Sequence, residues 1–205
     1  MTRSMIAAAS IAAAALIPAT AAATTWTLDA DHTEVGFRVR HMMVSWTKGH
    51  FQKFQGTIAY DDAHPEQTRV DIDIDTASVD TNLAKRDEHL RSADFFDVAK
   101  YPRMTFKSTK VERAGEGKLK VTGDLSLHGV TRPVVLEVSD IGPARNDPWG
   151  GVRRGATATA RLHRKDFGLV WNGTLEGGGV LVGDEVLIQL DIELLKQQPA
   201  AAKAG

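Results

Sequence analysis

The chain contains no cysteine. That absence excludes a disulfide framework, thiolate metal centres and a thiol-linked lipid anchor. It also lacks an apolar run of membrane-spanning length. The stretch from Met5 to Ile17 offers about 13 apolar residues, where a bilayer core needs roughly 20. Neither sign of charge dominates. The 25 Lys and Arg against 26 Asp and Glu leave a formal net charge of −1, which argues against nucleic acid or an anionic membrane as a main partner. No G-x-S-x-G elbow, no G-x-G-x-x-G turn and no HxH or HxxxH pair occurs, and neither an internal repeat nor a domain-scale linker interrupts the sequence.

The N-terminus carries an export pattern: Arg3, the alanine-rich run Met5–Ile17, a break at Pro18, and Ala21-x-Ala23 as a cleavage site. Residues 1–23 are therefore expected to be a cleaved signal peptide, with a soluble mature chain from Thr24. Losing Arg3 takes the net charge from −1 to −2. About 180 mature residues suit a single domain, expected over 24–196. The remaining QQPAAAKAG, 197–205, has little to bury and is expected to be disordered.

Period-two alternation dominates the rest. Val35, Phe37 and Val39 alternate with Glu34, Gly36, Arg38 and Arg40. Val70, Ile72 and Ile74 alternate with Arg69, Asp71, Asp73 and Asp75, and Leu119, Val121, Leu125 and Leu127 with Lys118, Lys120, Thr122, Asp124 and Ser126. Val186, Ile188, Leu190, Ile192 and Leu194 form the cleanest stripe. Further strands are expected around 50–60, 103–113, 133–142 and 155–162, with turns at Gly115–Gly117, His128–Gly129, Asn146–Pro148 and Gly177–Gly179. About eight half-apolar strands can stack as a sandwich or close into a barrel, and alternation alone does not choose. The exception is a helix-compatible piece over Asn82–Ala93. It has Thr81 or Asn82 as N-cap, Asp87 and Arg91 spaced to pair, and Phe95 and Phe96 following, one ring directed into a barrel mouth and the other against its rim.

Residue patterns for chemistry are weak. His32, His41, His50, His64, His89, His128 and His163 lack metal-ligand spacing, although His41 and His50 sit on neighbouring strands. Ser126 and His128 share a strand face without an orienting third group. Asp71, Asp73 and Asp75 read as a solvated face balanced by Arg69 and nearby lysines rather than a calcium site. What remains is the set of apolar stripes, which suits either a packed core or a hydrophobic lumen.

Five motifs in order carry a resemblance to a family. They are His32-Thr33-x-Val35-x-Phe37-x-Val39-x-His41 with Gly49-x-Phe51 and Phe54-x-Gly56; RDEHLRSADFFDVAKYP over 86–102; Val121-x-Gly123-x-Leu125-x-Leu127-x-Gly129-Val130-Thr131; Arg164-x-Asp166-Phe167-Gly168-Leu169; and Val182-Gly183-Asp184-x-Val186. Together they span roughly 25–195, and over them the chain resembles the YceI-like family of periplasmic, lipocalin-like lipid-binding proteins. Met42-Met43 and the loops at Trp46 and Trp149 depart from the family pattern. The resemblance implies an all-β, antiparallel eight-stranded lipocalin-like β-barrel with a short helical insertion around 82–98. It further implies periplasmic localisation and a polyisoprenoid, isoprenoid quinone or fatty-acyl ligand, with no catalysis, metal or cofactor required. The expected lumen residues are Val35, Phe37, Val39, Ile72, Ile74, Phe95, Phe96, Phe106, Leu125, Leu127, Leu136, Ile188 and Leu190. Arg38, His41 and His128 are candidate head-group contacts. Nucleic acid and membrane embedding are not expected, and a homodimer is left open. The alternatives are a filled barrel serving as an interaction module and a small exported hydrolase or isomerase acting on lipid-like substrates.

Overall fold

Alternating apolar and charged residues can satisfy both the core and water only as strands, and the chain folds accordingly. The computed structural model describes residues 23–176 and 178–197. The expected signal peptide and tail lie outside the described residues, apart from Ala23 and Gln197. The strands are β1 (Thr24–Leu28), β2 (Glu34–His41), β3 (Ser45–Phe51), β4 (Phe54–Tyr60), β5 (Arg69–Asp75), β6 (Val79–Asp80), β7 (Arg103–Gly115), β8 (Lys118–Leu127), β9 (Val130–Ser139), β10 (Arg145–Asn146), β11 (Val152–His163) and β12 (Val182–Lys196). One helix, α1 (Ala84–Arg91), interrupts them.

All pairings are antiparallel, and the ring β11-β9-β8-β7-β5-β4-β1-β12 closes through the β11–β12 ladder. Closure chooses the barrel over the sandwich and removes the two edges that such long strands would otherwise expose. Three of the eight staves are broken at one level of the wall. β12 pairs with β1 at Leu194–Lys196 and with β2 at Val182–Asp191. β3 continues into β4 after Gln52 and Lys53, and β5 continues into β6 after a short 3₁₀ turn at Thr76–Ser78. Side chains fill the missing ladder bonds. The Thr33 hydroxyl bonds both the Glu193 N–H and its carbonyl, and the Ser78 hydroxyl accepts from the Lys53 N–H at 3.0 Å.

The inward stripe of β8 is buried as expected, Leu119, Val121, Leu125 and Leu127 all being in the core. The carboxylates of β5 lie outside, but their partners come from β7 rather than from Arg69. Arg103 pairs with Asp73, and Lys107 reaches Asp71 at 3.1 Å. The reason is register: antiparallel pairing sets Asp73 opposite Thr105 and Asp71 opposite Lys107, within reach across the ladder. Exposed pairs of this kind contribute at most about 1 kcal/mol each. At the end where β1 begins, Trp26, Ile58 and Leu194 form the floor. Over it lies Arg154, its guanidinium above Tyr60 and Trp26 and doubly bonded to Asp62 at 2.7 and 2.8 Å.

The helix is shorter than the sequence pattern indicates and its cap differs. Leu83 is the N-cap and supplies no side-chain bond, while Asn82 sits at φ 59°. Thr81 instead gives its N–H and hydroxyl to the buried Asp87 carboxylate. The expected Asp87–Arg91 pair does not form. Arg91 donates to the carbonyls of Ala77 and Val79, both at 2.7 Å, because the broken β5–β6 stave leaves those acceptors facing the helix. Both side chains thus tie the insertion to the barrel wall instead of to each other.

At the other end of β12, Arg164 organises the loop that leads from β11 back to it. Its side chain is 5% exposed. It donates to the carbonyls of Gly183 (2.9 Å), Leu169 (2.6 Å) and Trp171 (2.8 Å), and burial pulls its pKa below the ordinary arginine value. Asn172 mimics a strand partner, its amide bonding both the N–H and the carbonyl of Val182. Replacing Arg164 by Met should cost about 3 kcal/mol or more, since buried carbonyls lose a charged donor. Urea denaturation would read that loss, and hydrogen exchange should show faster exchange across 168–183. A second prediction concerns acid. Burial raises the pKa of Asp29, but hydrogen bonds from Arg153 and His32 outweigh it, and the Arg153 bond likewise lowers Asp147. Carboxylates depressed in the folded state add stability above the unfolded value of about 3.9 and lose it as pH falls through the folded value. Arg153→Gln should therefore be less stable at neutral pH and lose less stability between about pH 5 and pH 2 than the parent, as followed by thermal melts.

Candidate functional site

The barrel is not filled. Two chambers of about 270 and 190 Å³ lie end to end inside it. Phe37, Phe51, Met104, Leu162 and Ile188 line both and form the waist between them. Taken together the chambers fall within the roughly 300–1,000 Å³ of small-molecule pockets.

Small residues on the wall leave this space empty. The inward face of β11 runs Arg154, Ala156, Ala158, Ala160, Leu162, and the three alanines border the lower chamber. Two glycines let aromatic rings lie down against the sheet instead of projecting. A Cβ on Gly123 would stand 2.4 Å from the Phe106 ring, and one on Gly49 2.5 Å from the Phe37 ring. Any side chain there would push a phenylalanine into the lumen.

The upper chamber meets the helical insertion. Phe95 packs on Trp171 with centroids 5.2 Å apart, and Phe96 sits edge-on to Phe51 at 5.6 Å. Both rings line the chamber, so the expected division into one inward and one rim phenylalanine does not hold: the turn after α1 folds the pair back over the opening. The polar groups gather at this mouth, where Arg40, His41, Thr47, Thr81, Arg86, His89 and Arg164 join the lining. Most are already engaged. Arg86 donates to the Thr81 hydroxyl and carbonyl at 2.7 and 2.6 Å, His89 pairs with Asp94 at 2.9 Å, and the Arg164 donors go to backbone carbonyls. The lower chamber is closed below by Arg154.

Each sequence-derived position can now be located. Val39, Phe95, Phe96 and Leu127 line the upper chamber, Val35, Ile72, Ile74, Phe106, Leu125, Leu136 and Leu190 the lower, and Phe37 and Ile188 both. His41 lies at the mouth. Arg38 and His128 are placed elsewhere. Arg38 is on the outer face of β2, stacked 4.9 Å from the Trp46 ring. It borders an external groove where β9 and β11, paired only across 137–139 and 157–159, splay apart. His128 occupies a turn at φ 53° and lies against the Phe167 carbonyl and the Tyr101 ring, outside both chambers. Ser126 points to Thr131 at 2.7 Å, so the shared face with His128 is lost at that turn. Sequence reasoning missed Phe167, Leu169 and Trp171, which follow no alternation because they belong to a loop. It also missed the alanines of β11, whose signal is small size rather than apolar bulk.

The histidines do not converge. His41 faces Ser45 across the β2–β3 ladder and His50 faces Gly36, so the two lie at opposite ends of the hairpin. The one histidine–carboxylate cluster among the described residues is Asp29, His32 and Glu193, near the floor end. Arg153 already donates to Asp29 and, at 2.6 Å, to Glu193, which neutralises the charge a cation would need.

Known proteins show the same architecture. A Campylobacter jejuni YCEI protein of solved structure is 32% identical, with a TM-score of 0.65 covering 83% of this chain and 97% of that one. A polyisoprenoid-binding domain from Saccharophagus degradans shares the fold at 18% identity and a TM-score of 0.58, covering 86% of this chain and 99% of that domain. In sequence, Protein YceI of Escherichia coli O157:H7 is 48% identical over 141 residues, 69% of this chain and 73% of that protein. The model of the YceI-like domain matches residues 26–194, so this chain, whose closed barrel carries an apolar double chamber under a helical insertion, belongs to the YceI-like family.

Proposed function

We propose that the protein is an exported, non-catalytic carrier that shelters a long-chain amphiphile, an isoprenoid or fatty-acyl chain, inside its barrel. The observation that carries this is the lumen itself: two neighbouring chambers that share five lining residues, whose walls are almost wholly apolar and whose polar groups are confined to the mouth and the floor. An apolar chain gains about 0.8 kcal/mol for each buried methylene, so ~15 of them give near 12 kcal/mol, against association costs of about 4–15 kcal/mol. At the low end of those costs the net is about 8 kcal/mol, which is micromolar binding without a strong polar contact. The name of the Saccharophagus degradans domain, polyisoprenoid binding, supports the ligand class. A hydrolase reading has little support. The hydroxyl side chains in the upper lining are Thr47 and Thr81, and that of Thr81 is held by Asp87 and Arg86.

Organic extraction of the purified protein followed by mass spectrometry should yield a long-chain lipid or quinone near one per barrel. A clean extract, with no uptake of added polyisoprenol, would sink the carrier reading and favour an interaction module. The waist makes a finer prediction. Ile188→Trp, at a residue lining both chambers, should lower affinity for chains long enough to occupy both by about tenfold or more. Short chains that fit the upper chamber should be affected much less. Titration with a length series would show this, and an equal loss at all lengths would argue against end-to-end occupancy.

A further inference from the structure

The β2–β3 hairpin ends in Met42, Met43 and Val44, which are 41%, 60% and 81% exposed. The turn is closed by the Val44 N–H on the His41 carbonyl at 3.0 Å, and both central residues have positive φ, 52° for Met42 and 60° for Met43. This is the type I′ geometry that Asn-Gly adopts without cost. Two large unbranched apolar residues there are unfavourable for the backbone and unfavourable in water, so folding alone does not account for them.

Their surroundings are one-sided in two respects. Of the seven large apolar residues exposed among the described residues, only Trp149 lies away from the mouth. Met42, Met43 and Val44 follow His41, Leu83 precedes α1, Val170 lies between Leu169 and Trp171, and Val180 precedes Leu181. His41, Leu169, Trp171 and Leu181 all line the upper chamber, and Met42 is bonded to Leu181 at 2.8 Å. The second asymmetry is charge. From Val35 to Tyr60 there is no Asp or Glu, while Arg38, Arg40, Lys48 and Lys53 fall in that stretch. Trp46 lies between the first two, its ring 4.9 Å from Arg38 and 4.2 Å from Arg40. The nearest acids on β12 are spent, Asp184 on Arg164 and Lys165 and Glu185 on Arg161. The overall net charge of −1 conceals this local excess.

We propose that the hairpin tip is a docking device for an anionic lipid bilayer, seating the mouth of the lumen on the membrane surface. Met42, Met43 and Val44 enter the acyl boundary, with Leu83, Val170 and Val180 beside them. Trp46 and the aliphatic stems of Arg38 and Arg40 occupy the interface, and their charges meet the phosphates. The device rests on the carrier reading for its purpose, since a carrier must take up or deliver its chain at a bilayer, but not for its geometry.

The test uses the chain from Ala23 onward, which contains the whole barrel, and the double variant Met42→Asn with Met43→Gly. This variant puts the favoured residues into the turn, so the melting temperature should rise. Sedimentation with phosphatidylcholine vesicles containing phosphatidylglycerol should capture the parent and release it with added salt. The variant should bind at least about tenfold more weakly. Uptake of a fluorescent fatty acid without vesicles should be the same in both. Failure of the parent to bind these vesicles, equal binding by the variant, or a fall in its melting temperature would overturn the proposal. Self-association of the parent that the variant abolishes would also overturn it, assigning the tip to a second copy. Loss of fatty-acid uptake in both proteins with vesicle binding intact would instead refute the carrier reading and leave the docking face standing.

Discussion

Everything in this molecule depends on one ladder, the unbroken antiparallel pairing of β11 with β12 from Arg153↔Leu195 to His163↔Glu185. Without it the sheet would be an open ribbon with two long, half-apolar edges, a form prone to pairing with other chains. With it the apolar faces of eight staves turn toward one another and the edges vanish. β12 can close the ring because it is long enough to serve three partners, β11 along one side and β1 and β2 in succession along the other.

Closure also sets the interior volume, and the sequence keeps that volume from being filled. An eight-stranded barrel is just wide enough to be packed solid by its own side chains or to hold one slender ligand. Here the balance falls toward a lumen for identifiable reasons. β11 presents Ala156, Ala158 and Ala160 inward, and the rings of Phe37 and Phe106 lie flat over Gly49 and Gly123. The same strand and its continuation secure both ends with buried arginines. Arg154 closes the floor against Asp62, and Arg164 ties down the loop that forms one side of the mouth. A buried guanidinium is costly to desolvate, but Arg164 has its donors on backbone carbonyls, and Arg154 has two on Asp62 and its charge over the Trp26 and Tyr60 rings. They hold the ends of the lumen in place while its walls stay apolar.

The wall departs from regularity where its staves are broken, and the departures share a cause. The three broken staves leave free carbonyls and N–H groups on one side of the barrel. Arg91, Thr33 and Ser78 spend their side chains on those groups. The helical insertion is thereby fastened to the wall, which brings Phe95 and Phe96 over the opening beside Trp171. Polar satisfaction of an interrupted sheet and construction of an aromatic lip are thus one piece of architecture. The Met42–Met43 tip stands on the same rim.

The sequence by itself determined that the chain makes long strands with one apolar face, and which residues occupy that face. The eleven apolar positions expected inside on the strands all line the chambers, because a strand's alternation survives whatever its partners are, and so does the phenylalanine pair after α1. His41 was legible on the same stripe. The misplacements follow from what alternation cannot carry. Arg38 is on the opposite parity of its own strand and faces out, and His128 leaves its strand at a positive-φ turn. Asp87 and Arg91 satisfy the helical spacing rule, yet Asp87 accepts from Thr81, and Arg91 donates to the carbonyls of Ala77 and Val79 instead. Whether the barrel is hollow was decided only by tertiary structure. That outcome depends on which small residue lies opposite which ring across closed strands, a non-local matching that no local pattern encodes.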